Sequence, residues 1–271
     1  MKRVSECRGV DNEMTWTWMG PQFYVRKLAM LRSVGVVDED GAVGVTLESP
    51  EGEEQTLLIE AGTFSLERKL RPFPLRPEGV PLYLSRIETF YWLEAMPDQD
   101  AIYFQFNKVR NAPQESIREF SARLRTSLLD SGSTRLIIDV RHNNGGNNSL
   151  VRPLVRTLIE FEMRSPEHQI FVLKGRNAFS AAQNFINRVE RWTDATFVGE
   201  VSSSSPNFVG EENEFMLPFS RVHGSLSNLY WQDSDPWDDR QWIEPDLPVV
   251  LTAENYIDGV DPALELVLDQ D

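Results

Sequence analysis

The sequence predicts an α/β domain built on a substantially parallel sheet, preceded by a smaller, partly β N-terminal region. Three observations carry that expectation. From residue 101 onward, apolar runs of strand length alternate with segments of helical periodicity, the pattern of strands joined by crossover helices. Two strand-to-helix turns in that half carry glycine or serine where a helix N-terminus meets the end of a strand. Ahead of them, prolines at 72, 74, 77 and 81 rule out a helix interior or a central strand across Arg71 to Leu82 and mark a linker. The expected division is a small region over residues 1–80 and the α/β domain over 81–271.

The elements follow in order. Trp16, Trp18, Phe23 and Tyr24 precede a helix-like stretch from Val25 to Leu31, too aromatic for a solvated tail. Val43, Val45 and Leu47 alternate with small or polar residues, Pro50-Glu51-Gly52 supplies turn chemistry, and Gln55 to Glu60 reads as the returning strand of a hairpin. Ala101 to Asn107 is a strand, and Ile117, Phe120, Leu124 and Leu128 form the apolar stripe of a helix stopped by Gly132. Leu136 to Val140 is a buried strand that leads through His142-Asn143-Asn144-Gly145-Gly146 into a helix with Leu150, Val151, Leu154, Val155 and Leu158 inward. Gln169 to Leu173 is the next strand, followed by Gly175 to Ser180 and a helix through Val189. Thr196 to Gly199 starts a fourth. A β-rich, polar stretch then runs to Asp261, where Pro262 suits the first turn of a short final helix.

Composition narrows the function classes. Forty-two acidic against 27 basic residues leave a net charge of −15, which repels phosphate backbones and excludes nucleic acid as an expected partner. A single cysteine, Cys7, excludes an internal disulfide framework and a thiolate metal cluster within one chain. No apolar run of signal-peptide length follows Lys2 and Arg3, and no stretch approaches a membrane span, so the sequence as given is expected to be soluble and not exported. It carries no marker of oligomeric state or compartment.

The chemistry concentrates in the two turns. Gly145 and Gly146 let backbone approach a ligand closely, and the helix that follows aims unpaired N–H groups and its positive dipole end at the same spot, which is oxyanion-hole chemistry. The alternative is a tight turn capped by Asn147 or Asn148. Ser180 opens its helix with Ala181 and Ala182 behind it, leaving room for a substrate carbonyl and an N–H from Ala181 for a developing oxyanion. The alternative there is an ordinary serine N-cap. The acidic loop Asp233, Asp235, Asp238 and Asp239 lacks the glycine and final glutamate of a calcium loop and reads as solvated charge, so no metal and no cofactor are expected.

In order along the chain, LIIDVRHNNGG (Leu136 to Gly146), GRNAFSAAQNF (Gly175 to Phe185), FVGE (Phe197 to Glu200) and EPDLPVVLTAENYIDGVDPALELVL (Glu244 to Leu268) resemble the tail-specific, C-terminal-processing protease family. The likeness runs from about Asp100 to the C-terminus. It implies a crotonase/ClpP-like spiral α/β fold and serine-type proteolysis of extended peptide or C-terminal segments. Ser180 then takes the nucleophile position, Gly145, Gly146 and Ala181 the surroundings of the oxyanion hole, and Asn144 and Ser205 substrate contacts. Many members pair the serine with a lysine shortly after the Gly-Glu motif, but here that stretch reads Gly199-Glu200-Val201-Ser202-Ser203-Ser204-Ser205. A related branch takes a histidine from further upstream, and no histidine precedes His142. Lys108, if burial lowers its pKa, and His142, by its intrinsic pKa, are the candidate bases. Relatives are often exported and carry an N-terminal helical region, which points to an N-terminally shortened form. Two further readings stay open: a peptide-binding homologue that has lost its base, and an acyl-CoA enzyme of the related crotonase group, whose catalytic glutamates are missing here.

Overall fold

The computed structural model describes residues 9–20, 31–32, 35, 37, 41–49, 52–60 and 79–270. The chain divides into two compact units, Met1–Pro74 and Leu75–Asp271. In the first, a short helix α1 (Met14–Met19) precedes a hairpin of β1 (Ala42–Glu48) and β2 (Glu54–Glu60), antiparallel in the register Val45 to Leu57. The expected helix-like stretch from Val25 falls, up to residue 30, outside the described residues, as do residues 71–78 of the proline-rich linker.

The second unit is an α/β layer structure. After the single turn α2 (Leu82–Ser85) come β3 (Tyr91–Met96), β4 (Ala101–Phe106), α3 (Ile117–Ser131), β5 (Arg135–Asp139), α4 (Arg152–Glu162), β6 (Gln169–Lys174), α5 (Ala181–Trp192) and β7 (Thr196–Gly199). A second hairpin, β8 (Asn207–Met216) and β9 (His223–Gln232), is followed by β10 (Leu247–Pro248), α6 (Ala253–Asp258) and α7 (Pro262–Leu268). The central sheet has the order β10-β7-β6-β5-β4-β3, parallel throughout except for the antiparallel edge strand β3.

Strand alternation assigns the two faces. In β4, Ile102, Phe104 and Phe106 face a core shared with Phe120 and Leu124 of α3, Leu154 and Leu158 of α4, and Phe185 and Val189 of α5. Ala101 and Tyr103 face a second core closed by Ala263, Leu264 and Val267 of α7. Local signals start and stop the helices: Ser116 and Glu119 form a reciprocal capping box at the head of α3, Gly132 ends it at φ 66°, and Asp261 caps α7 by accepting from Leu264 N–H. One buried ionic group ties α7 to the sheet. Arg141 bonds both Asp139, at 2.6 Å, and Asp261, at 2.7 Å, while Tyr103 donates to Asp139 at 2.6 Å. Burial opposes the charge on Asp139, but Arg141 and the tyrosine hydroxyl outweigh it and hold the carboxyl below its ordinary range.

Candidate active site

The two turns singled out in the sequence meet at the carboxyl ends of β5 and β6. Asn143, fully buried, donates to Phe106 O at 2.9 Å and accepts from Gly145 N–H at 3.0 Å, which folds the chain back over the end of β4. Phe179 N–H donates to Asn143 O at 3.2 Å and joins this turn to the one that carries Ser180. Close approach explains both glycines. A Cβ on Gly145 would lie 2.8 Å from Ser180 Cβ, and one on Gly146 would lie 2.2 Å from Val109 O; their φ values are +105° and +141°. No other residue fits either position without moving backbone.

Ser180 is held at φ 57° and ψ −124°, a conformation rare for a residue with a side chain and costing on the order of 1–3 kcal/mol. Its side chain makes no capping hydrogen bond, so the ordinary N-cap reading does not account for that backbone. The Ser180 N–H instead donates to Ser204 Oγ at 3.0 Å. Among the described residues the Ser180 hydroxyl has no hydrogen-bond partner, and neither do the N–H groups of Gly146 and Ala181. The Gly145 N–H is already engaged by Asn143, so this glycine supplies room rather than a donor. Asn147 caps the turn at Asn148–Leu150 by accepting from Ser149 N–H at 3.0 Å.

These groups open on a cleft of about 320 Å³ lined by Gly146, Asn147, Asn148, Ser180, Ala181, Asn184, Glu211 and Trp231. Asn148 donates to Asn184 Oδ1 at 3.0 Å, one turn beyond Ser180. Arg188, a turn further on, bonds Asn148 O at 2.9 Å and Asp233 at 3.2 Å. The glycine turn, α5 and the end of β9 are thereby fastened together. Asp233 and Asp238 of the acidic loop are ion-paired with Arg188 and Arg240.

The remaining sequence candidates lie elsewhere. Asn144 is exposed on the glycine turn and Ser205 is half-buried, and neither lines the cleft. Lys108 places its ammonium 4.8 Å from the Phe90 ring centroid. His142 stacks on Tyr83 with its Nε2 buried and unpartnered; burial lowers its pKa, with the nearby Asp139 charge opposing, and the ring is neutral. Neither side chain hydrogen-bonds Ser180. Where the resemblance would put a lysine, Ser202, Ser203 and Ser204 are fully buried. Ser202 bonds Gln183 at 2.5 Å, Gln183 bonds Asn187 at 2.8 Å, and Ser203 N–H bonds Ala178 O at 3.0 Å, so the loop is fixed along the flank of α5.

One chemically distinctive residue escaped the sequence reading. Lys174, at the end of β6, is 1% exposed and donates to Ile243 O at 2.7 Å and Glu200 O at 3.2 Å. Desolvation lowers its pKa to about 8. A lysine closing an apolar strand reads as solvated in a sequence, and its only signal was its place beside that strand.

No family model matches the chain, and no curated protein matches it by sequence. Solved structures do. Mature CPAF complexed with lactacystin superimposes with a TM-score of 0.53 at 14% identity, over 89% of this chain and 70% of that one. The chain shares the fold of CPAF. Looser likenesses include the photosystem II D1 C-terminal processing protease, with a TM-score of 0.43, 14% identity, 83% of this chain and 61% of that one covered. An S41 protease from Bacteroides fragilis gives 0.43 at 13% identity, over 84% of this chain and 64% of its own. The chain thus spans less than two thirds of the length of these last two. Among the described residues no helix is long and apolar enough to cross a membrane, and no group of His, Cys, Asp or Glu side chains is arranged to hold a metal ion.

Proposed function

We propose that this chain is a serine-type peptidase that takes extended polypeptide segments, with Ser180 as nucleophile. The observation that carries the reading is the strained, uncapped Ser180, opening on a cleft beside two unpaired backbone donors, Gly146 N–H and Ala181 N–H. Ser180 Oγ adds to the scissile carbonyl carbon, the carbonyl electron pair moves onto oxygen, and the two N–H groups receive that charge. The electron pair then returns to re-form the carbonyl, the C–N bond breaks and the leaving amine takes a proton; water hydrolyses the resulting ester and restores the Ser180 hydroxyl. Among the described residues β8 and β9 form a sheet of two strands, so either outer edge can take an added strand of substrate. Because no side chain among the described residues hydrogen-bonds the Ser180 hydroxyl, the proton passes first to water in the cleft. Acylation is then about 10²–10⁴-fold slower than with a positioned base.

A second reading, a peptide-binding homologue without turnover, is favoured by that same partnerless hydroxyl. Fluorophosphonate labelling of the full chain beside Ser180→Ala separates the two. Covalent labelling that the variant abolishes supports the peptidase; a folded chain that binds peptides saturably but neither labels nor cleaves supports the binding module. Lactacystin, present in the CPAF complex, serves as a second probe of the same hydroxyl.

A further inference from the structure

One charged residue, Glu211, lines the cleft beside Ser180, and its charge is negative. The other lining residues are two small backbone-exposing positions, three asparagines, the serine and an indole. Glu211 is exposed and forms no hydrogen bond or ion pair among the described residues, whereas its neighbour Glu212 accepts from Ser225 at 2.9 Å. Its backbone is held at φ +55°, and it drops out of the β8–β9 ladder between two paired neighbours, Gly210 with Leu229 and Glu212 with Ser227. For a glutamate that conformation costs roughly 1–2 kcal/mol, and nothing in the hairpin's own bonding requires a glutamate there. Trp231 supplies the adjoining wall. Its indole lies diagonally across Gly210, where an added Cβ would stand 3.0 Å from its Cδ1 and 3.1 Å from its Nε1. A side chain at position 210 would press on the ring, which would have to give by a few tenths of an ångström.

We infer that Glu211 and Trp231 form a specificity subsite for a lysine or arginine side chain of the polypeptide substrate, close to the bond presented to Ser180. A carboxylate without a partner offers a cation its counter-charge, and an indole face attracts the same cation through its quadrupole. An acidic substrate side chain meets an unpaired like charge in the same place. The inference rests on the reading of this cleft as a polypeptide site, but it does not require turnover.

The test is binding to the full chain carrying Ser180→Ala. Fluorescein-labelled alanine-rich octapeptides, each with a single lysine, norleucine or glutamate moved through every position, are titrated by anisotropy. At one position lysine is expected to bind about tenfold more tightly than norleucine, the combined effect of a counter-charge and a cation–π contact. Adding Glu211→Gln is expected to reduce that ratio to about twofold or less, and Glu211→Lys to turn the preference toward glutamate, with unfolding temperature unchanged because Glu211 is exposed. Equal binding of lysine and glutamate peptides, no peptide binding, or a lysine preference that survives Glu211→Gln and so reflects only the chain's overall negative charge, overturns the inference. Loss of fluorophosphonate labelling in the wild-type chain with the lysine preference intact sinks the peptidase reading and leaves the subsite standing.

Discussion

Replacing Gly145 by alanine tests the geometry of the site most directly. The added methyl would stand 2.8 Å from Ser180 Cβ, 2.9 Å from Phe179 O and 3.0 Å from Ala181 N, two of them backbone atoms with nowhere to rotate. Two costs combine: about 1–3 kcal/mol for a side chain held at a disfavoured positive φ, and about 1–3 kcal/mol for overpacking against rigid neighbours. Gly132→Ala isolates the first. That glycine ends α3 at φ +66° with nothing within 4 Å of its Cβ position, so its replacement costs about 1–2 kcal/mol and leaves the site alone. Urea unfolding should therefore show Gly145→Ala destabilised by about 2–6 kcal/mol, beyond Gly132→Ala, or else relaxed by a displacement of Ser180. In either case fluorophosphonate labelling should fall by about tenfold or more, because sub-ångström misplacement of a nucleophile is costly. Gly132→Ala should label at the wild-type rate. A Gly145→Ala protein as stable as Gly132→Ala and labelling normally would refute the contact between the glycine turn and the serine.

Three other outcomes are expected. Ser204→Ala removes the acceptor of the Ser180 N–H and should cost about 1–3 kcal/mol together with slower labelling; unchanged labelling would mean that this bond does not hold the serine. Lys174, with its pKa lowered to about 8 from 10.5, binds fewer protons folded than unfolded between those values. Stability should therefore rise with pH from about 8 toward 10, by up to about 3 kcal/mol. Tyr103 and Tyr83, both raised by burial, Tyr83 to about 12, reverse the slope above 10. Lys174→Met should flatten the lower limb in urea unfolding across that range, and an unaltered slope would assign it to other groups. Asp139→Asn leaves Arg141 buried with half its counter-charge and should cost about 3–5 kcal/mol at pH 7 by thermal or urea unfolding, whereas a loss under 1 kcal/mol would show that Asp261 alone suffices.

Much of the fold is legible along the chain. Strands β4, β5, β6 and β7 and the helices between them repeat apolar residues at their own periods, and their bounds fall within three residues of the expectation, with Gly132 ending α3 as expected. Edge strand β3 was not foreseen. Its sequence Tyr91-Trp92-Leu93-Glu94-Ala95-Met96 lacks clean alternation, and its assignment depends on pairing with β4. The β8–β9 hairpin was visible only as a β-rich stretch, since most of both strands is exposed and no core face stamps a period on them.

By itself, the sequence determined the order of the elements from β4 to β7, the α/β class and the two turns where chemistry concentrates, because periodicity, glycine and capping residues act over a few neighbours. Tertiary structure decided the rest. Which N–H groups remain unpaired beside Ser180, that Lys174 is buried, that His142 turns to Tyr83, and that Glu211 shares a cleft with Ser180 are contacts between residues distant along the chain. Local patterns fix which side chains an element offers; only the packing of elements fixes what those side chains meet.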